Sequence, residues 1–274
     1  MLSQLNDKRQ SPFAISVLMA GLLIVMVLAV VGANLWKSEL RIAEIRVNGN
    51  TIVPDKEILS LANIDAQQKL YSVDLQAAQS RVMQNAFIKT ATVNREAPNV
   101  ISITVRERIP IAAVVLDQIK YLDVEGVVLP SAHPDNIFDI PVLTGVFQPG
   151  DFAPGKQIAG SNVREALDIL VTAQQLGDEL YRRISEVHIE NGKDIVLYTA
   201  EFGVPVIFGH DDAAAKLVKF DGFWSQFVHH RVAHELAYVD LRFEDQVVVH
   251  WNHSKDDRQE TKTRVGSTPG AKRS

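Results

Sequence analysis

The chain has 274 residues, no cysteine, and 28 basic against 33 acidic side chains, for a formal net charge of -5. Thiol chemistry and a disulfide framework are excluded, and the charge balance argues against general nucleic-acid binding. Any folded part must therefore be held together by its own apolar core.

Residues 1–12 form a short polar tail. The next segment, Phe13 to Leu35, carries no charged side chain. As a helix rising about 1.5 Å per residue it is long enough to span a hydrocarbon core of about 30 Å. A cleaved signal peptide has a shorter apolar region, of about 7 to 15 residues, and Val31-Gly32-Ala33 matches a cleavage site poorly. The spacing therefore predicts an uncleaved transmembrane helix over 13–35. Lys8 and Arg9 precede it, whereas Lys37, Glu39, Arg41 and Glu44 nearly cancel beyond it, which places the tail in the cytoplasm and the bulk outside. In a bacterial cell that is the periplasm. Trp36 falls at the outer end, where an indole suits the interface.

Soluble patterning begins near residue 40. Ile45 and Val47 alternate with Arg46 and Asn48 as a half-buried strand, and Asn48-Gly49-Asn50 ends it with turn residues. Pro54 suits a first helical turn, followed by Asp55 and Glu57 at its positive end. A second helix is predicted over Val73 to Asn85, with Leu75, Ala78 and Val82 on one face. Strands follow at Ile88 to Arg95 and Val100 to Arg106, around a turn at Ala97-Pro98-Asn99. The order β-α-α-β-β over 40–108 makes a small sheet covered by two helices.

Ile109-Pro110 interrupts the pattern and opens a second unit, 109–253. Ile111 to Val115 and Lys120 to Asp123 read as strands. Asn162 to Leu176 reads as a helix, capped by Asn162, with Glu165 completing a capping box and Gly177 ending it. Strands at Ser185 to Glu190 and Asp194 to Thr199 flank an Asn191-Gly192 hairpin turn, and Val204 to Phe208 follows. Asp211 is placed to cap a helix running to about His230. Ala237 to Phe243, a turn at Glu244-Asp245, and Gln246 to Trp251 close the unit. Residues 254–274 are polar, small or charged apart from one valine, too poor in apolar surface to fold. The fold class is α+β: one membrane helix, then two mixed domains.

Candidate chemistry is sparse. Gly150 to Lys156 matches the spacing of a phosphate-binding loop, but Gln157 stands where Ser or Thr must hold magnesium, and Pro154 removes an amide donor. His230 and His234 are four apart, yet Arg231 stands where a zinc protease needs Glu. Asp123, Glu125, Asp211 and Asp212 lie beside turns or caps. No Gly-x-Ser-x-Gly elbow occurs. The expectation is a protein that is not an enzyme and uses no cofactor or metal.

What remains is backbone. Gln246 to Trp251 is the last strand, so it falls at a sheet edge that is either merely solvated or open to a partner's strand. In the second case Phe243, Val247, Val249 and Trp251 offer apolar contact and Arg242 a charge-assisted donor.

Several segments resemble the FtsQ/DivIB family of cell division proteins. IAEIRVNGN, then two helices, then IKTATVNREAPNVISITVRERIPIAAV resemble the FtsQ-type POTRA domain and its exit, with Val93, Arg95, Pro98, Glu107, Pro110 and Ala112 at matching places. YLDVEGVVLP, IPVLTG, VPVIFGHDDAAAKLVKF and AYVDLRFEDQVVVHW resemble the family's β-domain. The resemblance implies a bitopic inner-membrane scaffold at the division site, non-enzymatic, whose open C-terminal edge strand binds FtsB and through it FtsL. The partner-binding residues would be Arg242, Phe243, Asp245, Gln246, Val247, Val249 and Trp251. The POTRA domain and the anchor would engage other division proteins, with Ile45 to Asn50 and Ile101 to Arg106 as candidate edges. A charged residue at Val249 or Trp251 is expected to abolish capture and leave the fold intact. The alternative is a POTRA-containing component of protein translocation or outer-membrane assembly, though such proteins usually carry tandem POTRA units and a β-barrel.

Overall fold

The computed structural model describes residues 12–131, 137–145, 149–189, 193–228 and 235–252. Residues 1–11, the Asn191-Gly192 turn, His229, His230 and His234, and the polar C-terminal stretch lie outside them, as does the side chain of Trp36. The chain divides into two units, Met1–Glu107 and Arg108–Ser274.

Helix α1 (Pro12–Glu39) carries the apolar segment. Its Ser16–Ala33 stretch has a mean hydropathy of 2.7 and no part of it is buried in protein, so it is long and apolar enough to cross a membrane.

The rest of the first unit is β1 (Glu44–Asn48), α2 (Asp55–Ala62), α3 (Leu75–Val82), β2 (Ile88–Glu96) and β3 (Val100–Glu107). The strand order is β1-β3-β2, with β1 parallel and β2 antiparallel to β3. The long α2–α3–β2 connection supplies the crossover that a parallel pair needs. One expectation fails here. Ile101 pairs with Ile45 on one side and Arg95 on the other, so Ile101 to Arg106 is the central strand and no edge at all. The outer strands are β1 and β2.

Side chains buried between sheet and helices include Ile58, Leu70, Ala78, Val82, Val93, Ile101 and Ile103. Polar groups fix the connections around this core. The Asp74 carboxylate caps α3 by accepting from Ala77 N at 3.0 Å, and Arg95 donates to the carbonyls of Leu70 and Val73 at 3.0 and 2.6 Å. Glu107 accepts from three successive amides, those of Thr51 and Ile52 at 2.8 Å and of Val53 at 2.7 Å. Gly49 sits at φ +85°, where an added Cβ would lie 2.2 Å from the Val105 carbonyl oxygen, so no larger residue fits that turn.

The second unit holds β4 (Pro110–Val115), β5 (Ile119–Asp123), β6 (Val128–Leu129), β7 (Val142–Gly145), α4 (Ser161–Leu176), α5 (Asp178–Arg182), β8 (Ile184–Ile189), β9 (Ile195–Thr199), β10 (Pro205–Gly209), α6 (Ala213–Phe227), β11 (Leu236–Asp240) and β12 (Val248–Trp251). All its strands join one sheet in the order β12-β11-β10-β9-β8-β7-β4-β5-β6. Two of its parallel neighbours, β7 with β8 and β10 with β11, are bridged by helices, α4 with α5 and α6 respectively. The core includes Leu167 and Leu170 of α4, Val187, Leu197 and Phe208 of the sheet, and Leu217 and Phe220 of α6. Tyr181, on α5, donates its hydroxyl to the Ile111 carbonyl at 2.7 Å, and burial pushes its phenol pKa up to about 12.

Two helix starts differ from expectation. Asn162 lies inside α4, whose N-cap is Gly160, and neither Asp211 nor Asp212 caps α6 through its side chain. Instead of closing a capping box, Glu165 reaches across to the β10–α6 turn, accepting from Asp211 N at 3.1 Å and pairing with His210 at 3.0 Å. In that turn Asp211 and Asp212 both take left-handed φ, 61° and 50°.

Candidate partner-binding edge

The β11–β12 hairpin ends the sheet. Val239 pairs with Val249 and Asp240 with Val248, and beyond β12 no strand follows among the described residues. The opposite end of the sheet is different. There β6 is covered by the protein's own chain: Gly155 donates to Val128 O at 2.7 Å, Val128 to Lys156 O at 2.9 Å and Ile158 to Gly126 O at 2.8 Å. This also disposes of the phosphate-loop pattern, since the amide of Gly155 is spent on the sheet.

Period-2 alternation decides what β12 shows. Val247, Val249 and Trp251 turn inward and pack, partly buried, against the core. His250 is exposed and stacks on Tyr238, its register partner, with ring centroids 5.4 Å apart and 17° between planes. Both Val249 and Trp251 belong to the packing beneath the strand, so a charge at either position is set against the core as well as against a partner. Phe243 is 44% exposed, and Asp245 and Gln246 are exposed in the turn that precedes β12.

Arg242 is also placed otherwise than expected. Its Nε donates to Asp240 Oδ1 at 3.0 Å, its Nη2 to Asp240 Oδ2 at 2.6 Å and its Nη1 to Asp194 Oδ2 at 2.8 Å. The Arg242 hydrogen bond holds the Asp240 carboxyl below its ordinary range, and the two carboxylates raise the guanidinium. The side chain thus ties the ends of β9 and β11 together. Its stem crosses Gly209, at φ +71°, where an added Cβ would stand 2.9 Å from Arg242 Cγ. Between Asp240 and Arg242, Leu241 is fully buried and donates its amide to Ile207 O at 2.9 Å. Beside this clamp lies an open depression of about 580 Å³, lined by Val196 and Ile207 together with His188, Lys193, Asp194, His210 and Arg242.

Sequence reasoning missed Asp194, Gly209 and Lys219 as supports of the hairpin. Lys219 Nζ donates to the carbonyls of Phe243 and Glu244 at 2.7 and 2.8 Å. A lysine on an amphipathic helix carries no local mark of a partner 24 residues away. Two of the acids considered for catalysis, Asp123 and Glu125, pair with Arg108. Asp123 is buried, accepts from Glu125 N and Val127 N at 3.0 and 2.8 Å, and pairs with Arg108 at 2.5 Å. Among the described residues no group of three or more His, Asp or Glu is arranged to hold a metal.

Two family models match the chain: the FtsQ-type POTRA domain over residues 40–108 and the C-terminal domain of cell division protein FtsQ/DivIB over residues 113–242. The chain is 30% identical to a cell division protein FtsQ of Geobacter sp. (strain M21) over 210 residues, 77% of this chain and 76% of the relative. It is 31% identical to FtsQ of Syntrophotalea carbinolica over 205 residues, 74% and 72% of the two chains. A shorter match, 33% over 99 residues and 35% and 38% of the two chains, joins it to the cell division protein DivIB of Bacillus subtilis. With a POTRA unit followed by the nine-stranded domain and one apolar helix before them, the chain belongs to the FtsQ/DivIB family of cell division proteins.

Proposed function

We propose that this protein is a non-enzymatic scaffold of the division machinery that captures FtsB, and through it FtsL, by strand addition at β12. The observation that carries the reading is the asymmetry of the sheet. One flank is closed by residues 155–158, while β12 pairs with β11 alone among the described residues. An edge strand presents alternate N–H and C=O groups outward, and a partner strand satisfies them without any side-chain chemistry. Phe243, Asp245 and Gln246 border that edge from the exposed turn. Arg242, Val247, Val249 and Trp251 serve it from within, by holding the hairpin in place.

The anchor completes the mechanism. Lys8 and Arg9 favour a cytoplasmic N-terminus, which puts both folded units in the periplasm at the inner membrane of the division site. Confinement to one plane raises the effective concentration of partners anchored beside it. In the POTRA unit, β1 and β2 are the strands that other division proteins would meet.

Because the chain has no cysteine, single introduced cysteines are unambiguous reporters. His250→Cys is expected to form disulfides with cysteines placed along the periplasmic segment of FtsB in living cells, in a two-residue period. Lys56→Cys, exposed on α2 of the first unit, is the control. Cross-linking from position 250 no stronger than from position 56 would defeat the proposal.

A further inference from the structure

The turn that leads into β12 lies between the buried Leu241 and the partly buried Val247. Phe243, Glu244, Asp245 and Gln246 are all exposed, so the hydrogen bonds that reach their backbone decide where they lie. Two of these come from a single side chain, the Lys219 ammonium of α6, on the carbonyls of Phe243 and Glu244 at 2.7 and 2.8 Å. An ammonium has three donors and no acceptor, so it can gather two carbonyls that face one way. Arg242 secures the strand end before the turn, through Asp240 and Asp194, and leaves the turn itself to Lys219.

We infer that Lys219 is a positioning residue for the partner-binding edge: it fixes the β11–β12 turn so that β12 is presented in one orientation before a partner arrives. The inference rests on the edge-capture reading above. An untethered turn would have to be ordered at the moment of capture, and that loss of freedom subtracts from affinity. The fold itself should barely register the change, because the two carbonyls are exposed and water replaces the ammonium.

The test uses the full chain in nanodiscs, with Lys219→Met, which keeps the length of the stem, and Lys219→Arg, which keeps the donors. Three quantities are read: affinity for the periplasmic segment of FtsB, amide exchange across 243–247, and the thermal midpoint of the second unit. Lys219→Met is expected to weaken binding about tenfold, the equivalent of one charge-assisted hydrogen bond. It should also speed exchange across the turn and leave the midpoint in place, and Lys219→Arg should restore both affinity and protection. Unchanged affinity in Lys219→Met would overturn the inference, as would an affinity loss that tracks a fallen midpoint. If the wild-type chain itself shows no affinity for FtsB, the edge-capture reading falls and takes the inference with it.

Discussion

Replacing Glu107 with Gln should loosen the first unit. The wild-type carboxylate receives three amides, with Thr51 and Ile52 on Oε2 and Val53 on Oε1. A carboxamide has one acceptor oxygen. Turned toward Thr51 and Ile52, it confronts the Val53 amide with an NH2 group, donor against donor. Val53 is only 3% exposed, so that amide finds little water, and an unsatisfied buried donor costs about 1–3 kcal/mol. Loss of the negative charge weakens the two surviving bonds as well, which brings the total to about 2–4 kcal/mol. A domain of this size melts about 4–8 °C lower per kcal/mol lost, so the first transition should fall by at least ~8 °C. Calorimetry of residues 40–252 and amide exchange at 51–53 provide the assay. A midpoint within about 1 °C of wild type, with the three amides as protected as before, would refute the reasoning.

Val249→Asp is expected to destabilise the second unit by on the order of 2 kcal/mol, since the side chain packs inward against the core; denaturant midpoints of the variant and of the outward-facing His250→Asp distinguish packing loss from edge disruption. The second unit should also lose stability as pH rises above about 6.5. The hydrogen bond that His210 donates to the Glu165 carboxylate raises the imidazole above its ordinary value of 6.5; its contribution is complete below that value and fades as pH climbs through the raised one. Thermal midpoints between pH 6 and 8 should therefore change less in His210→Gln than in wild type, and parallel curves would remove His210 from the account.

Elements with clear periodicity were legible in advance. Leu75, Ala78 and Val82 announced α3, and the alternation of Ile101, Ile103 and Val105 announced β3. Strand order was not, because periodicity reports which face of a strand is buried and says nothing about its neighbours; Ile101 reads the same at the centre or at the rim. Short elements escaped too. With two residues, β6 has no period to detect, and α5 covers little more than one turn. Glu165 shows the limit of local rules: Asn162 and Glu165 fit a capping box by spacing, yet a turn 45 residues away claims the carboxylate. At the edge itself, Val247, Val248, Val249 and Trp251 are all apolar. Only the pairing of β12 with β11 shows which of them face the core, and hence why Arg242 and Trp251 work as supports.

The closed end of the sheet has a consequence for counting. Because residues 155–158 seal β6, a strand recruited at β12 cannot be relayed to another molecule through the far side. Head-to-tail polymerisation needs two complementary surfaces on every subunit, and among the described residues this sheet leaves one end uncovered. If β12 captures a partner as proposed, each molecule admits a single incoming chain by this route.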